Sequence, residues 1–320
     1  VIVMSAFALG LDLGGTKILA GLVDETGIVH HEWRLATPVE GGGEAIMQGL
    51  IDAVATIRAQ LSSSQAAGLV GIGVSTAGHV DHVSGKVLYC TGNLPGWSGM
   101  DVSERLQAAC GLPVTVDNDA NCAAYGEYWA GAGRGVANLL AITLGTGLGG
   151  GIVADGHVVR GARGGGAELG HLILVPDGRS CNCGQNGCWE SYASGTAIAR
   201  SARELGIWGA EVTSHEVFAK ARAGDADALG VIHRMADHLA IGIVSMINIL
   251  DPQRIVIGGG VSNQADLYLP RVREQVTARY GERGWDVQEI RVAALGERAG
   301  MIGAAGEALA RAGARVAVAS

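Results

Sequence analysis

Two stretches of this chain read alike, and that likeness constrains the fold more than any other feature. In the first, the apolar run Phe7 to Asp12 enters Gly14-Gly15-Thr16-Lys17. A second apolar run follows from Ile18 to Val23, and Asp24-Glu25-Thr26-Gly27 turns the chain into a third, Ile28 to Trp33. In the second stretch, Leu139 to Leu144 enters Gly145-Thr146-Gly147, leaves through Gly149 to Ala154 and closes on Asp155-Gly156. Laid over one another, Asp12 falls on Thr143, Gly14 on Gly145 and Asp24 on Asp155. Apolar runs split by glycine turns predict strand–turn–strand hairpins. The glycines do not open a helix, so neither stretch is a Walker or dinucleotide loop. Farther on, Arg254 to Ile257 followed by Gly258-Gly259-Gly260 echoes Leu69 to Val74, which ends at Ser75-Thr76-Ala77-Gly78. A unit repeated at this separation predicts two similar lobes.

Helical periodicity fills the space between. Ile46, Leu50, Val54, Ile57 and Leu61 share one face of a helix expected over Gly41 to Leu61. A short helix is expected over Val102 to Ala109 with Ser103 as cap. Val114 to Asp117 reads as a strand, and Asn118-Asp119-Ala120-Asn121 opens a helix to Ala130. The second half predicts helices over Glu190 to Leu205, Ser214 to Ala223, Ala226 to Leu250 and Asp266 to Tyr280, then a strand at Ile290 to Ala294. The small-residue helix Ala299 to Ala312 is expected to return to the first lobe. We therefore expect an α/β chain in which residues 1–118 with 299–320 form a small lobe carrying the first hairpin and part of a ligand site. Residues 119–298 would form a large lobe with the second hairpin.

A second constraint lies in AELGHLILVPDGRSCNCGQNGCWE, Ala167 to Glu190. His171, Cys181, Cys183 and Cys188 are a complete tetrahedral ligand set for zinc. Asn182, Gly184 and Gly187 supply the turns that wrap a short loop around a metal. Four protein ligands leave no open position, so the zinc is expected to be structural. Glu168 and Glu190 bracket the ligands with no basic residue beside them. The knot would then hold His171 and two carboxylates in one polar wall, suited to a ligand rich in hydroxyls; the plain alternative is a knuckle that only stiffens its loop.

At 320 residues the chain is long enough for two domains. A net charge of −8 without a basic cluster argues against nucleic acid. The apolar run Leu139 to Val153 is broken by glycines and threonines, so no membrane span is expected there. The first residues lack a charged segment and a cleavage site and are not expected to be a leader. Three of six cysteines go to the metal, and no disulfide framework is suggested, which fits a reducing cytoplasm.

Glycine hairpins can cradle a polyphosphate with backbone N–H groups, and Thr16 and Thr146 add hydroxyls. Asp12 ends the first strand, where a carboxylate can bind Mg²⁺ directly or through water. Lys17 adds a point charge to the phosphates or simply faces solvent. Asp119 is the candidate base, although an aspartate at a strand-to-helix junction also serves as a helix cap. An aspartate cannot deprotonate a sugar hydroxyl outright; in a loose phosphoryl-transfer transition state it orients the hydroxyl and takes the proton late. Asn118 and Asn93 can donate to and accept from hydroxyls. Gly78 lets backbone approach a ligand, and Trp97 is expected to pack in the core.

Taken together, DLGGTK at Asp12–Lys17, NLPGW at Asn93–Trp97, DNDANC at Asp117–Cys122, LGTGLGGG at Leu144–Gly151, GGGAELGH at Gly164–His171 and CNCGQNGCWE at Cys181–Glu190 resemble the ROK family of sugar kinases, and within it the bacterial ATP-dependent glucokinases. The resemblance implies the actin-like, ribonuclease-H-like ATPase fold of two lobes, with ATP–Mg²⁺ in the cleft and glucose phosphorylated at its 6-hydroxyl. It implies Asp119 as catalytic base, with Gly78, Asn93, Asn118, Glu168, His171 and Glu190 lining the sugar. It assigns zinc to His171, Cys181, Cys183 and Cys188. Asp12, Gly14, Gly15, Thr16, Lys17, Gly145, Thr146, Gly147, Gly259 and Gly260 go to the nucleotide. A cytoplasmic homodimer is implied as well. The DNA-binding module of the family's repressors is not expected, since the first strand starts close to the beginning of the chain. Kinases for mannose, fructose, allose or N-acylated hexosamines share these motifs, polyphosphate could replace ATP, and a non-catalytic sugar sensor is the reading from another class.

Overall fold

The computed structural model describes residues 5–90 and 92–314. The reading of the first residues as no leader, and the end of the expected small lobe at 315–320, fall outside them. Along the chain run β1 (Phe7–Leu13), β2 (Lys17–Asp24), β3 (Val29–Ala36), α1 (Gly42–Gln60), α2 (Ser63–Gly68), β4 (Leu69–Thr76), β5 (His79–Asp81), β6 (Lys86–Tyr89), α3 (Val102–Cys110), β7 (Val114–Asn118) and α4 (Asp119–Ala130). After these come β8 (Leu139–Leu144), β9 (Leu148–Ala154), β10 (His157–Val158), α5 (Gly195–Glu204), α6 (Ser214–Arg222), α7 (Ala226–Leu250), β11 (Arg254–Gly258), α8 (Ala265–Tyr280), β12 (Ile290–Val292) and α9 (Ala299–Arg311).

Two five-stranded sheets are built to one plan. The first has the order β3-β2-β1-β4-β7, the second β10-β9-β8-β11-β12. In each, the outer hairpin is antiparallel and the two later strands run parallel to the first. The repeat read from the glycine hairpins is therefore a repeat of topology, and the fold is the two-lobed, actin-like α/β class that the resemblance implies. Strands β1 and β4 are covered on both faces, as sheets with parallel strands must be. Accordingly Ala8, Leu9, Leu11 and Ile72 are all fully buried, in near-continuous apolar runs. Helix α1 buries the expected stripe of Ile46, Leu50, Val54 and Ile57.

The chain divides into two compact units, Val1–Ala137 with Gly151–Ala167 and Leu295–Ser320, and Asn138–Gly150 with Glu168–Ala294. The expected boundary at residue 118 thus differs from the observed one, because α4 stays with the first unit. It packs on α9, where Gly303 lies against the Cys122 carbonyl and Gly126 against that of Ala299. Helix α7 is long and apolar enough to span a membrane by composition. Its apolar face is nevertheless buried within the second unit, through Met235, Leu239, Ile243 and Ile247.

Two local readings are corrected. The helix expected from Glu190 begins only at Gly195: Trp189–Ser191 is a separate 3₁₀ turn, and Ser194 caps α5 by accepting the Ala197 N–H. Ser103 is not the cap of α3; Asp101 holds that position, and the Ser103 hydroxyl donates to the Val114 carbonyl at 2.9 Å. The short hairpin β5–β6 and helix α2, closed by a Ser62–Gln65 capping box, carry too little periodicity to be read beforehand.

Candidate active site

In the first unit the candidate residues collect at the carboxyl ends of adjacent parallel strands, the usual ligand edge of an open α/β sheet. Strand register places Asp12 beside Ser75, and Ser75 beside Asp117. At or just past that row lie Gly14, Gly15 and Thr16 after β1, Gly78 after β4, Asn118 at the end of β7 and Asp119 directly after it. The Gly14 N–H is spent inside its own turn, on the Lys17 carbonyl at 2.9 Å. Among the described residues the Gly15 and Thr16 N–H groups have no such partner, so these two are the donors available to an anion. Asn93 sits beside this hairpin, its carbonyl 3.1 Å from where a Cβ on Gly15 would stand.

Asn118, not Asp119, caps α4. Its side-chain oxygen accepts the N–H groups of Ala120 at 2.9 Å and Asn121 at 3.3 Å. Its amide donates to the Gly78 carbonyl at 2.9 Å, tying β7 to the turn after β4. Gly78 has φ +102° and is packed against the Tyr89 carbonyl, a combination that excludes any side chain. Asp119 is the exposed first residue of the helix, with Oδ1 accepting the Ala120 N–H at 2.9 Å.

Asp12 is largely buried. Its Oδ1 accepts the Ser75 hydroxyl at 2.5 Å. Burial raises its pKa, against the pull of Ser75 and of Lys17. Lys17 itself pairs with Glu297 at 2.6 Å. Arg34 meets the same carboxylate, and hydrogen bonds from Arg34 and Lys17 hold Glu297 down at about 2. Lys17 is thus engaged in a surface ion cluster. Trp97 is fully buried and donates to the Thr76 hydroxyl at 2.9 Å, a core residue as expected.

The second unit repeats the arrangement. Gly145 donates to the Gly147 carbonyl at 2.9 Å. The hairpin is braced by the start of α5, whose Gly195 N–H donates to Gly145 O and whose Thr196 hydroxyl donates to Thr146 O at 2.8 Å. Gly259, with φ +83°, lies against the Leu144 backbone where β8 meets its neighbour β11, and Gly260 opens the next 3₁₀ turn. Gly145, Thr146, Gly147, Gly259 and Gly260 therefore form one glycine-rich edge.

The metal ligands converge as their spacing implies. The donor atoms of His171, Cys181, Cys183 and Cys188 all lie within 4.8 Å of one another. Cys183 and Cys188 sulfurs are 3.6 Å apart, and the Cys181 sulfur is 3.8 Å from His171 Nδ1. Zinc–sulfur bonds of about 2.3 Å in a tetrahedron put sulfurs about 3.8 Å apart, so the set fits zinc. Burial, with Cys183 and Cys181 adding to it, pushes the Cys188 thiol up to about 12. A metal among the ligands holds such cysteines as thiolates.

The loop is shaped by its own backbone. Leu174 and Val175 N–H groups both reach the Gly187 carbonyl, Gly187 reaches Arg179 O, and Trp189 reaches Leu172 O. The fully buried Trp189 pins it to α7 by donating to His238 O at 3.1 Å. Glu168 and His171 are one turn apart, joined by the His171 N–H on Glu168 O at 3.1 Å. Glu190 reaches both ways: Oε2 accepts the Leu148 N–H at 2.9 Å, and Oε1 lies 3.9 Å from the Cys181 sulfur. A Cβ at Gly147 would stand 2.1 Å from Glu190 Oε2, so a side chain there would displace that carboxylate.

Sequence reasoning passed over Ser75, Thr196 and Arg160. Ser75 stood in a strand end already noted, and its place beside Asp12 is the signal that register alone supplies.

Two sheets of one topology, a glycine hairpin on each and a Cys₃His knot define a phosphate-handling protein of the actin-like class. The chain belongs to the ROK family, whose model matches residues 8–311. It is 39% identical over 307 residues to a glucokinase of Halalkalibacterium halodurans, covering 92% of each chain. Among solved structures it is similar to a ROK hexokinase from Thermus thermophilus, with a TM-score of 0.82 and 35% identity over 95% of this chain and 98% of that one. It is also similar to a ROK family glucokinase from Streptomyces griseus in complex with glucose and AMPPNP, with a TM-score of 0.75 and 36% identity over 94% and 98%.

Proposed function

We propose that this protein phosphorylates D-glucose at the 6-hydroxyl with ATP, giving glucose 6-phosphate and ADP. Similarity to glucokinases over nearly the whole chain supports the activity. The observation that carries the chemistry is the division of labour at the start of α4, where Asn118 makes the cap and Asp119 stands first in the helix. Asp119 is the general base: it orients the hydroxyl and accepts its proton late, as a loose transition state allows. Asn118, Gly78, Asn93, Glu168, His171 and Glu190 hold the sugar hydroxyls. The N–H groups of Gly15, Thr16, Thr146 and Gly147, with the two threonine hydroxyls, hold the phosphates. Gly259 and Gly260 leave room for the nucleoside. Lys17 contributes once its bond to Glu297 is exchanged for phosphate.

Asp12 is the residue that would hold hydrated Mg²⁺, which when bound neutralises phosphate charge. His171, Cys181, Cys183 and Cys188 would hold zinc, which supplies rigidity and no open coordination position. A cytoplasmic homodimer is the form we propose.

The test is a hexose panel with ATP in a coupled ADP assay, run with purified, zinc-loaded protein. Glucose is expected to give the highest kcat/KM. Preference for mannose, fructose, allose or an N-acylhexosamine by tenfold or more would reassign the substrate, and turnover of none would remove the activity.

A further inference from the structure

Three ionisable side chains meet inside the first unit, behind the residues assigned so far. Arg160, shortly after β10, donates from Nε to Asp117 Oδ2 at 2.5 Å and from Nη2 to Glu307 Oε1 on α9. The side chains are 19%, 2% and 12% exposed for Arg160, Asp117 and Glu307. The other Asp117 oxygen accepts the Asn118 N–H at 2.7 Å and the Asn121 amide at 3.0 Å. Asn118 and Asn121 flank Asp119 in the first turn of α4. A continuous line of hydrogen bonds therefore runs from α9 through Arg160 and Asp117 to the Asn118 backbone N–H and the Asn121 side-chain amide, on either side of Asp119.

Stability alone does not call for this arrangement, since apolar side chains of like volume replace buried ion pairs at little or no loss. What a guanidinium adds is direction: its planar fork fixes two carboxylates relative to each other, which an ammonium does not do. We propose that Arg160 is a positioning residue for phosphoryl transfer: held by Glu307, it orients Asp117, which sets the first turn of α4 and with it the carboxylate of Asp119. This rests on the reading of Asp119 as the base.

Glu307 adds a pH dependence. The groups facing it are Asp117 on β7, Arg160 after β10, and Cys122 and Tyr125 on α4. Burial, and then Asp117, push Glu307 up to about 8, with Arg160 opposing. Burial pushes Tyr125 up to about 12 and lifts Cys122 well above its ordinary range, so both stay neutral where Glu307 titrates. While Glu307 is protonated, the charge of Arg160 is left to Asp117. Once Glu307 ionises, Arg160 is shared between two anions and the grip on Asp117 loosens.

Two variants of the full chain test this, each assayed with glucose and ATP and by amide hydrogen exchange. Arg160→Lys keeps the charge and loses the fork. It is expected to leave the glucose KM within about twofold, lower kcat by about tenfold to a hundredfold, and speed exchange at the Ala120 and Asn121 amides. Glu307→Gln, an isostere of the protonated acid, is expected to abolish the fall in kcat expected of the wild type above about pH 8. A folded Arg160→Lys with wild-type kcat and exchange overturns the proposal. If Arg160→Lys does not fold, Glu307→Gln decides, and a wild-type pH profile in that variant overturns it. A wild-type protein inactive on every hexose defeats the functional reading instead, and the exchange rates then judge the positioning by themselves.

Discussion

The carboxylate of Glu190 accepts the backbone N–H of Leu148 at 2.9 Å while its second oxygen lies 3.9 Å from the Cys181 sulfur. One side chain thus joins the second glycine hairpin to the metal loop within a single unit. Removing it takes the acceptor from a partly buried donor, a loss of about 1–3 kcal/mol. Glu190→Ala should therefore raise KM for glucose and for ATP together, each by about tenfold. Glu190→Gln keeps an acceptor for Leu148 and should recover the ATP KM but not the glucose KM. Steady-state kinetics with both substrates varied will show whether the two constants move as stated; an unchanged ATP KM in Glu190→Ala would break the link.

Asp119→Asn should bind glucose as the wild type does and turn over about 10²- to 10⁴-fold more slowly, because the amide still orients a hydroxyl and cannot take its proton. Calorimetric glucose titration beside the kinetic assay separates the two effects. Near-normal turnover would take Asp119 out of the mechanism.

Cys183→Ser should lose bound zinc and weaken glucose binding together, since His171 is both a ligand and a neighbour of Glu168. Metal content by elemental analysis and sugar affinity by titration are the two readouts. A zinc-free protein with full glucose affinity would confine the metal to holding its loop.

Stability should carry the mark of Glu307. Its pKa is raised from 4.5 to about 8 by folding, so between those values the native state holds a proton that the unfolded chain has released. The stabilisation from this group is complete below about pH 4.5, declines as pH rises, and is gone above about 8. His238, whose pKa burial lowers, acts in the opposite sense below its ordinary 6.5. The difference in Tm between Glu307→Gln and wild type isolates the first effect and should grow in favour of the variant from pH 5 to 8. A constant difference would mean that Glu307 titrates normally.

Much of this molecule could be read before any coordinates. The hairpins, the four metal ligands and the Asn118–Asp119 pair were legible because each depends on residue types at short spacing. The start of α5 was not, because Ser194 makes a cap whose evidence is a single bond to Ala197, while the apolar pattern runs on unbroken from Trp189. The Arg160 network was illegible for a different reason. Its three members come from β7, the segment after β10 and α9, and only the chain's return to the first sheet brings them together. The capping of α3 failed on geometry, as Ser103 looks like a cap in sequence and spends its hydroxyl on Val114 instead.

The last helix has a consequence for how the chain is made. Unit one opens before unit two in the chain, yet α9, which lies on β1, β4 and α4, follows unit two. Unit two is finished at Ala294, before that helix has emerged. The second-encoded half is therefore able to mature first, while the sheet bearing Asp12 and Asp119 waits for its missing cover. A chain cut before Ala299 would hold one complete half and one half whose apolar floor stands open to chaperones.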